Sequence, residues 1–184
     1  MSVFEYNFEQ YKSLSPDLYR KEKYNLQVEL LKLQEDVIKK KRKIAICFEG
    51  RDTAGKSSTI NFFSEHLIPS NFNYVHLGIP TKKERKNWFE RYDTYLPNKG
   101  QIVLFDRSWY TRALTEPTLG YCSKKQYEEF MTKVNKWEKS LVKKGTELVK
   151  FYFSIDKDQQ KRRINARKNS KLKYWKLSES DKLM

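Results

Sequence analysis

Apolar residues along this chain fall into two alternating rhythms, short continuous runs and stripes of helical period. The first stripe follows Ser15-Pro16, a capping hydroxyl placed before a proline in an opening helical turn. Leu26, Leu30, Leu33 and Val37, flanked by Leu31 and Ile38, carry it to about Lys40. Before it, Phe4, Tyr6, Phe8 and Tyr11 stand among polar residues and predict an arm that docks by its aromatics. Ile44 to Phe48 is a short run of strand type, and helical periodicity resumes near Ser57 with Ile60, Phe62, Phe63 and Leu67 facing inward until Pro69. A second strand is expected over Phe72 to Gly78, then a charged helix over Thr81 to Leu96 whose apolar face holds Trp88, Phe89, Tyr92 and Leu96. Pro97-Asn-Lys-Gly100 makes a turn.

Gln101 to Asp106 reads as the third strand, four apolar residues ending on a carboxylate. Ser123 and Gln126 form a capping box. The helix behind it aligns Tyr127, Phe130, Met131, Val134, Trp137 and Leu141, and Lys143-Lys144-Gly145 ends it. Glu147 to Ile155 is a fourth strand, apolar enough throughout to suit a sheet covered on both faces. Strand and helix alternate throughout, which predicts a mainly parallel sheet in a three-layer α/β/α sandwich. The 184 residues fit a single domain: an N-terminal arm and helix (1–42), a core (43–155) and a basic region (156–178). The helix before the first strand has two uses open to it, covering the sheet or pairing with another subunit.

Charge changes the picture more than length does. Lys and Arg total 38 against 23 Asp and Glu, a formal charge of +15. That excess points to a polyanionic partner, whether nucleic acid, an anionic membrane or a phosphate-rich molecule, and equally fits a solvated basic surface. Twelve Tyr, 11 Phe and 4 Trp argue against disorder. Cys47 and Cys122 show no C-x-x-C spacing and are expected to be reduced thiols in a cytoplasmic protein. No apolar run approaches the roughly 18 residues a membrane span requires, and no signal segment is indicated.

The chemistry concentrates where the first apolar run stops. Gly50-Arg-Asp-Thr-Ala-Gly55-Lys56-Ser57 has the P-loop spacing G-x-x-x-x-G-K-[ST] between a strand and a helix. Two glycines let the backbone curl until successive N–H groups face phosphate oxygens, and the following helix adds unpaired N–H groups and its positive dipole end. Lys56 brings a cation to the bridging phosphates, and the Ser57 hydroxyl can ligate Mg²⁺. The candidate phosphate-binding set is Gly50, Arg51, Thr53, Ala54, Gly55, Lys56, Ser57 and Ser58. Asp106, at the carboxyl end of a buried strand, has the Walker-B form and can hold Mg²⁺ beside that loop. Arg107 and Arg112 follow, placed to clamp a second phosphate group. Lys157 to Lys176 holds nine Lys or Arg against one acid, Asp158. Arg163 and Arg167 there share a helical face, as expected of a lid that brings arginines over a transferring phosphoryl group. His66 and His76 are isolated and read as structural.

On these residues the chain closely resembles the polyphosphate kinase 2 family. The matching segments are FEGRDTAGKSST (48–59), ERKNWFERYDTYLPNKGQIVLFDRSWYTRA (84–113), LGYCSKKQYEEF (119–130) and KLKYWKLS (171–178), in the family's order. The resemblance implies a P-loop kinase fold and reversible phosphoryl transfer between inorganic polyphosphate and nucleoside mono- or diphosphates (AMP/ADP or GMP/GDP), with Mg²⁺, in a homo-oligomer. It implies that Gly55, Lys56 and Ser57 hold phosphates, and that Asp52 and Asp106 position Mg²⁺. Arg107 and Arg112 would contact transferring or acceptor phosphates, and Arg163 and Arg167 would belong to the lid. Two departures stand out: Ser57-Ser58 replaces the usual glycines after the lysine, and the family generally continues through further helices beyond residue 178.

The acceptor phosphate is already ionised at neutral pH, so transfer needs alignment and charge neutralisation and no strong base. That matches the lack of a plausible catalytic histidine. Two other readings remain. One is a nucleoside or nucleotide kinase with ATP as donor. The other is a basic nucleic-acid-binding module with a vestigial P-loop, against which the Asp106-Arg107 pair argues; neither a specific nucleic acid nor a membrane is expected as partner.

Overall fold

The computed structural model describes residues 14–177, so the aromatic arm at Phe4, Tyr6, Phe8 and Tyr11 lies outside the described residues. Four strands form one all-parallel sheet: β1 (Lys43–Gly50), β2 (Phe72–Val75), β3 (Gln101–Asp106) and β4 (Thr146–Phe153), in the order β2-β3-β1-β4. Parallel neighbours require helical crossovers, and these build the outer layers. Alternate side chains of β1 and β3 divide the core in two. Ile44, Ile46, Phe48, Ile102 and Leu104 meet Val37 of α1 (Pro16–Lys39) and Ile60 of α2 (Lys56–Ser64). On the opposite face Ala45, Cys47, Val103 and Phe105 meet residues of a turn and of two helices. These are Trp88, Tyr92 of α4 (Glu90–Asp93), and Phe130 and Val134 of α6 (Lys124–Lys143). Full burial of each such aliphatic or aromatic side chain contributes about 1.5–3 kcal/mol, so these two layers fix the sheet against the helices. The architecture is the three-layer α/β/α sandwich that the alternation predicted.

Both predicted caps form. Ser15 Oγ accepts the Leu18 N–H at 3.2 Å, and Ser123 with Gln126 closes a reciprocal box at 3.2 and 2.9 Å. Elsewhere tertiary packing overrides local pattern. The helix expected over Thr81 to Leu96 is two short ones, α3 (Lys82–Lys86) and α4, parted at Asn87 (φ −111°, ψ 62°). The break accompanies the burial of Trp88, whose indole N–H donates to the Trp109 carbonyl at 2.9 Å. Strand β2 stops at Val75, so His76 to Gly78 leave the sheet. Helix α2 ends at Ser64, well before Pro69. Phe62 on α2, Leu26 on α1 and Met131 on α6 point outward. Strand β4 pairs with β1 along one side and is not covered on both faces, for Phe151 and Tyr152 are exposed.

The carboxyl ends of β1 and β3 lie side by side, with Phe48 registered against Asp106. Open α/β sheets bind ligands beyond such strand ends. Gly50 closes β1 at φ 134°, and a Cβ there would overlap the Phe153 carbonyl oxygen of β4. Gly50→Ala is therefore expected to cost at least about 2 kcal/mol from dihedral strain and backbone displacement together. Urea unfolding measures it, and a midpoint equal to wild type would contradict the close approach.

Candidate active site

The loop after β1 curls as its spacing requires. Thr53 takes φ 64° and Gly55 takes φ 110°, immediately before Lys56 opens α2. Lys56 is buried, and its ammonium donates to the carbonyls of Gly50 and Arg51, both at 2.9 Å. Burial lowers its pKa, and nearby Arg107 adds to that, against the pull of Asp52, Asp106 and Glu49. A desolvated cation held by two carbonyls is primed to exchange them for anionic oxygens.

Asp106 is buried at the tip of β3, and its Oδ2 accepts two hydroxyls, Ser57 Oγ at 2.5 Å and Tyr74 Oη at 3.0 Å. Burial and the Asp106 charge push the Tyr74 phenol up to about 12. His76 Nδ1 lies 4.0 Å from the same oxygen. Arg107 adopts the left-handed region at φ 67°, which costs an L-residue about 1–2 kcal/mol. Its N–H donates to the Phe48 carbonyl at 3.1 Å, while its guanidinium pairs with Asp52 and donates to Thr115 Oγ1 at 2.8 Å.

These groups share one cavity of about 540 Å³. Of the residues the sequence singled out, Asp52, Thr53, Gly55, Lys56, Ser57, Ser58, Asp106, Arg107 and Arg167 line it. Leu77, Ile79, Pro80, Leu119 and Tyr121 add apolar lining, with Arg91 and Glu116 also bordering the cavity. Helix α7 (Lys157–Lys168), capped by Asp156, leans on the loop: Arg163 donates to the Thr53 carbonyl at 3.0 Å and Gln160 to the Asp52 carbonyl at 3.2 Å. Arg167 reaches the Lys176 carbonyl at 3.2 Å, and Lys176 also borders the cavity.

Arg112 is the clear departure. On α5 (Thr111–Leu114) it is buried away from this cavity, paired with Glu116 at 3.0 Å, donating to the Arg85 carbonyl at 3.0 Å, with its guanidinium 4.0 Å from the Trp88 ring centre. A guanidinium so enclosed braces the chain behind the cavity wall, so the expected phosphate clamp is not what the structure holds at this position. Arg51 is exposed, Ala54 is buried, and neither borders the cavity; the Gly50 carbonyl serves Lys56.

Three contributors escaped sequence reading. His76 and Arg91 reach the cavity only because β2 ends early and the helix over 81–96 breaks. Glu49 had a visible signal, a carboxylate inside an otherwise apolar strand. It is buried, and its Oε1 accepts both the Ser108 N–H at 2.6 Å and the Ser108 hydroxyl at 2.7 Å. Burial raises its pKa, with the Ser108 hydrogen bonds opposing.

The profile of the polyphosphate kinase 2 family matches residues 13–183, nearly the whole chain. The chain belongs to that family. A GDP-polyphosphate phosphotransferase of Pseudomonas aeruginosa is 44% identical over 164 residues, 89% of this chain and 46% of its own. An ADP-polyphosphate phosphotransferase of the same organism is 44% identical over 169 residues, 91% of this chain and 56% of its own. An NDP-polyphosphate phosphotransferase of Ruegeria pomeroyi is 43% identical over 165 residues, covering 89% and 48%. The chain thus spans about half the length of the curated relatives it matches. Among solved structures, polyphosphate kinase 2 of Arthrobacter aurescens superposes with a TM-score of 0.84 at 25% identity, over 93% of this chain and 62% of that one. The fold seen here is thus shared with solved polyphosphate kinase 2 structures.

Proposed function

We propose that this chain carries out reversible phosphoryl transfer between inorganic polyphosphate and nucleoside mono- or diphosphates, with Mg²⁺. The observation that carries the reading is the shared cavity: Lys56, the Ser57–Asp106 pair, Arg107 and Arg167 line one space together with a set of apolar side chains. The charged lining suits condensed phosphates and the apolar lining a nucleoside. The names of the relatives, which include both GDP- and ADP-polyphosphate phosphotransferases, support the substrate class and leave both bases open.

A carboxylate and a hydroxyl in contact form a hard-oxygen pair of the kind Mg²⁺ prefers. Among the described residues no cluster of three or more His, Cys, Asp or Glu gathers to hold a metal. That suits an ion taking most of its ligands from phosphates and water. Asp106 and Ser57 would hold it, with Asp52 on the same cavity wall; when bound, it neutralises charge on the transferring phosphoryl group. The protein's own part is alignment and neutralisation. Lys56 leaves the Gly50 and Arg51 carbonyls for phosphate oxygens, Arg107 and Arg167 take up equatorial charge, and α7 with Arg163 closes the loop side as a lid. The terminal phosphate oxygen of the acceptor attacks, and no protein base is needed.

The +15 charge gains a use, because a polymer carrying about one charge per phosphate is held by cations and not by sequence. We further place the protein in the cytoplasm as a homo-oligomer. The two free cysteines and the exposed Tyr24 and Leu26 of α1 support this. No helix among the described residues is long and apolar enough to cross a membrane.

Incubation with Mg²⁺, long-chain polyphosphate and AMP, ADP, GMP or GDP in turn, followed by chromatography, tests the proposal. A nucleotide longer by one phosphate is expected from polyphosphate. Transfer from ATP alone would replace it with an ATP-dependent kinase, and salt-sensitive nucleic-acid binding with no nucleotide product would replace it with a binding module.

A further inference from the structure

We propose that Glu49 is a positioning residue that fixes Arg107 in the cavity by gripping Ser108, the next residue in the chain. The inference rests on the reading of Arg107 as a phosphate-facing group. Ser108 is fully buried and held through every polar atom it has. Its N–H and hydroxyl both donate to Glu49 Oε1, its Oγ accepts the Tyr110 N–H at 3.3 Å, and its carbonyl accepts the Tyr92 hydroxyl at 3.0 Å. Arg107, just before it, holds a left-handed backbone with its N–H tied to Phe48 of β1. Glu49 is the residue after Phe48. Two adjacent positions of one strand therefore grip two adjacent positions of the turn after β3. The unfavourable dihedral of Arg107 persists because its neighbours on both sides are pinned. Released, Arg107 would relax, and its guanidinium would lose the path that brings it to Asp52 and Thr115.

The side chains have distinct directions that make this economical. Glu49 shares its sheet face with Ala45 and Cys47, under α6, whereas Phe48 and Asp106 share the opposite face. Glu49 thus contacts the site through the turn it holds, and beyond that turn only its charge is felt at Lys56 and Arg107. The nearby carboxylate Glu138 of α6 grips the following two residues, accepting Trp109 Nε1 and Tyr110 Oη at 2.8 Å each. Buried acceptors in series along one short turn leave it a single conformation.

The test is a double-mutant cycle between Glu49→Ala and Arg107→Ala, read in kcat for transfer and in the Kd of inorganic tripolyphosphate. Glu49→Ala alone is expected to lower kcat about 10²-fold, the size of effect an ångström of misplacement causes. In the Arg107→Ala background the same change is expected to cost less than about threefold, because the group it positions is gone and only the Glu49 charge felt at Lys56 is left to lose. Glu49→Gln keeps an acceptor oxygen for both Ser108 hydrogens and should retain activity within about fivefold. If Glu49→Ala does not fold, Ser108→Ala takes its place in the cycle, with a loss of roughly 3–10-fold that vanishes without Arg107. Losses that multiply across the cycle, or a Glu49→Gln defect equal to that of Glu49→Ala, would overturn the proposal. If wild type transfers nothing from polyphosphate, the proposed function fails by itself. The tripolyphosphate cycle then still decides whether Glu49 acts through Arg107.

Discussion

Lys56→Ala is expected to lower kcat at least about 10³-fold while thermal stability stays level or rises. The two halves have one cause. Burial pushes the Lys56 pKa down, so its charge costs the empty fold something that the Gly50 and Arg51 carbonyls offset only in part. Removing the ammonium relieves that cost and removes the cation for the transferring phosphates, a trade of stability for function set up at the site itself. Calorimetric melting and initial rates at saturating polyphosphate measure both. A kcat within tenfold of wild type would remove Lys56 from the chemistry.

Asp106→Asn is expected to cost a comparable factor, about 10³ in kcat, with little change in fold. The amide oxygen can still accept Ser57 or Tyr74, so local geometry has a substitute. The negative charge has none: β3 ends there, Asp52 is engaged by Arg107, and Glu49 is held by Ser108 on the opposite sheet face. A kcat near wild type with Mg²⁺ present would mean that Asp106 serves only as a hydrogen-bond acceptor for the loop.

Much of this arrangement is legible in the sequence alone. Short continuous apolar runs against period-3.6 stripes gave the strand–helix alternation, and the strand–loop–helix setting of Gly50 to Ser57 gave the curled loop, because both are local properties of the chain. What stayed hidden depends on partners distant in sequence. Arg112 looks like a clamp when read beside Asp106, and only the fold shows Trp88 and Glu116 enclosing it. The split of α3 from α4 follows from an indole seeking a carbonyl 21 residues on. Strand β4 reads as doubly covered by composition, yet sheet order puts β1 on one side and leaves Tyr152 exposed. Glu49 was visible as an acid in an apolar strand, but its role needed Ser108 brought beside it.

The central claim is that Ser57 and Asp106 hold one divalent ion against a bound phosphate chain. Mn²⁺ in place of Mg²⁺ makes that ion visible by electron paramagnetic resonance. In wild type with tripolyphosphate, the account predicts bound Mn²⁺ whose spectrum carries ³¹P couplings. In Asp106→Asn it predicts Mn²⁺ affinity lower by at least about tenfold, the least that loss of a ligand should cost given that outer-shell partners cost as much. Equal Mn²⁺ affinity in the two proteins, or bound Mn²⁺ without any ³¹P coupling, would contradict it.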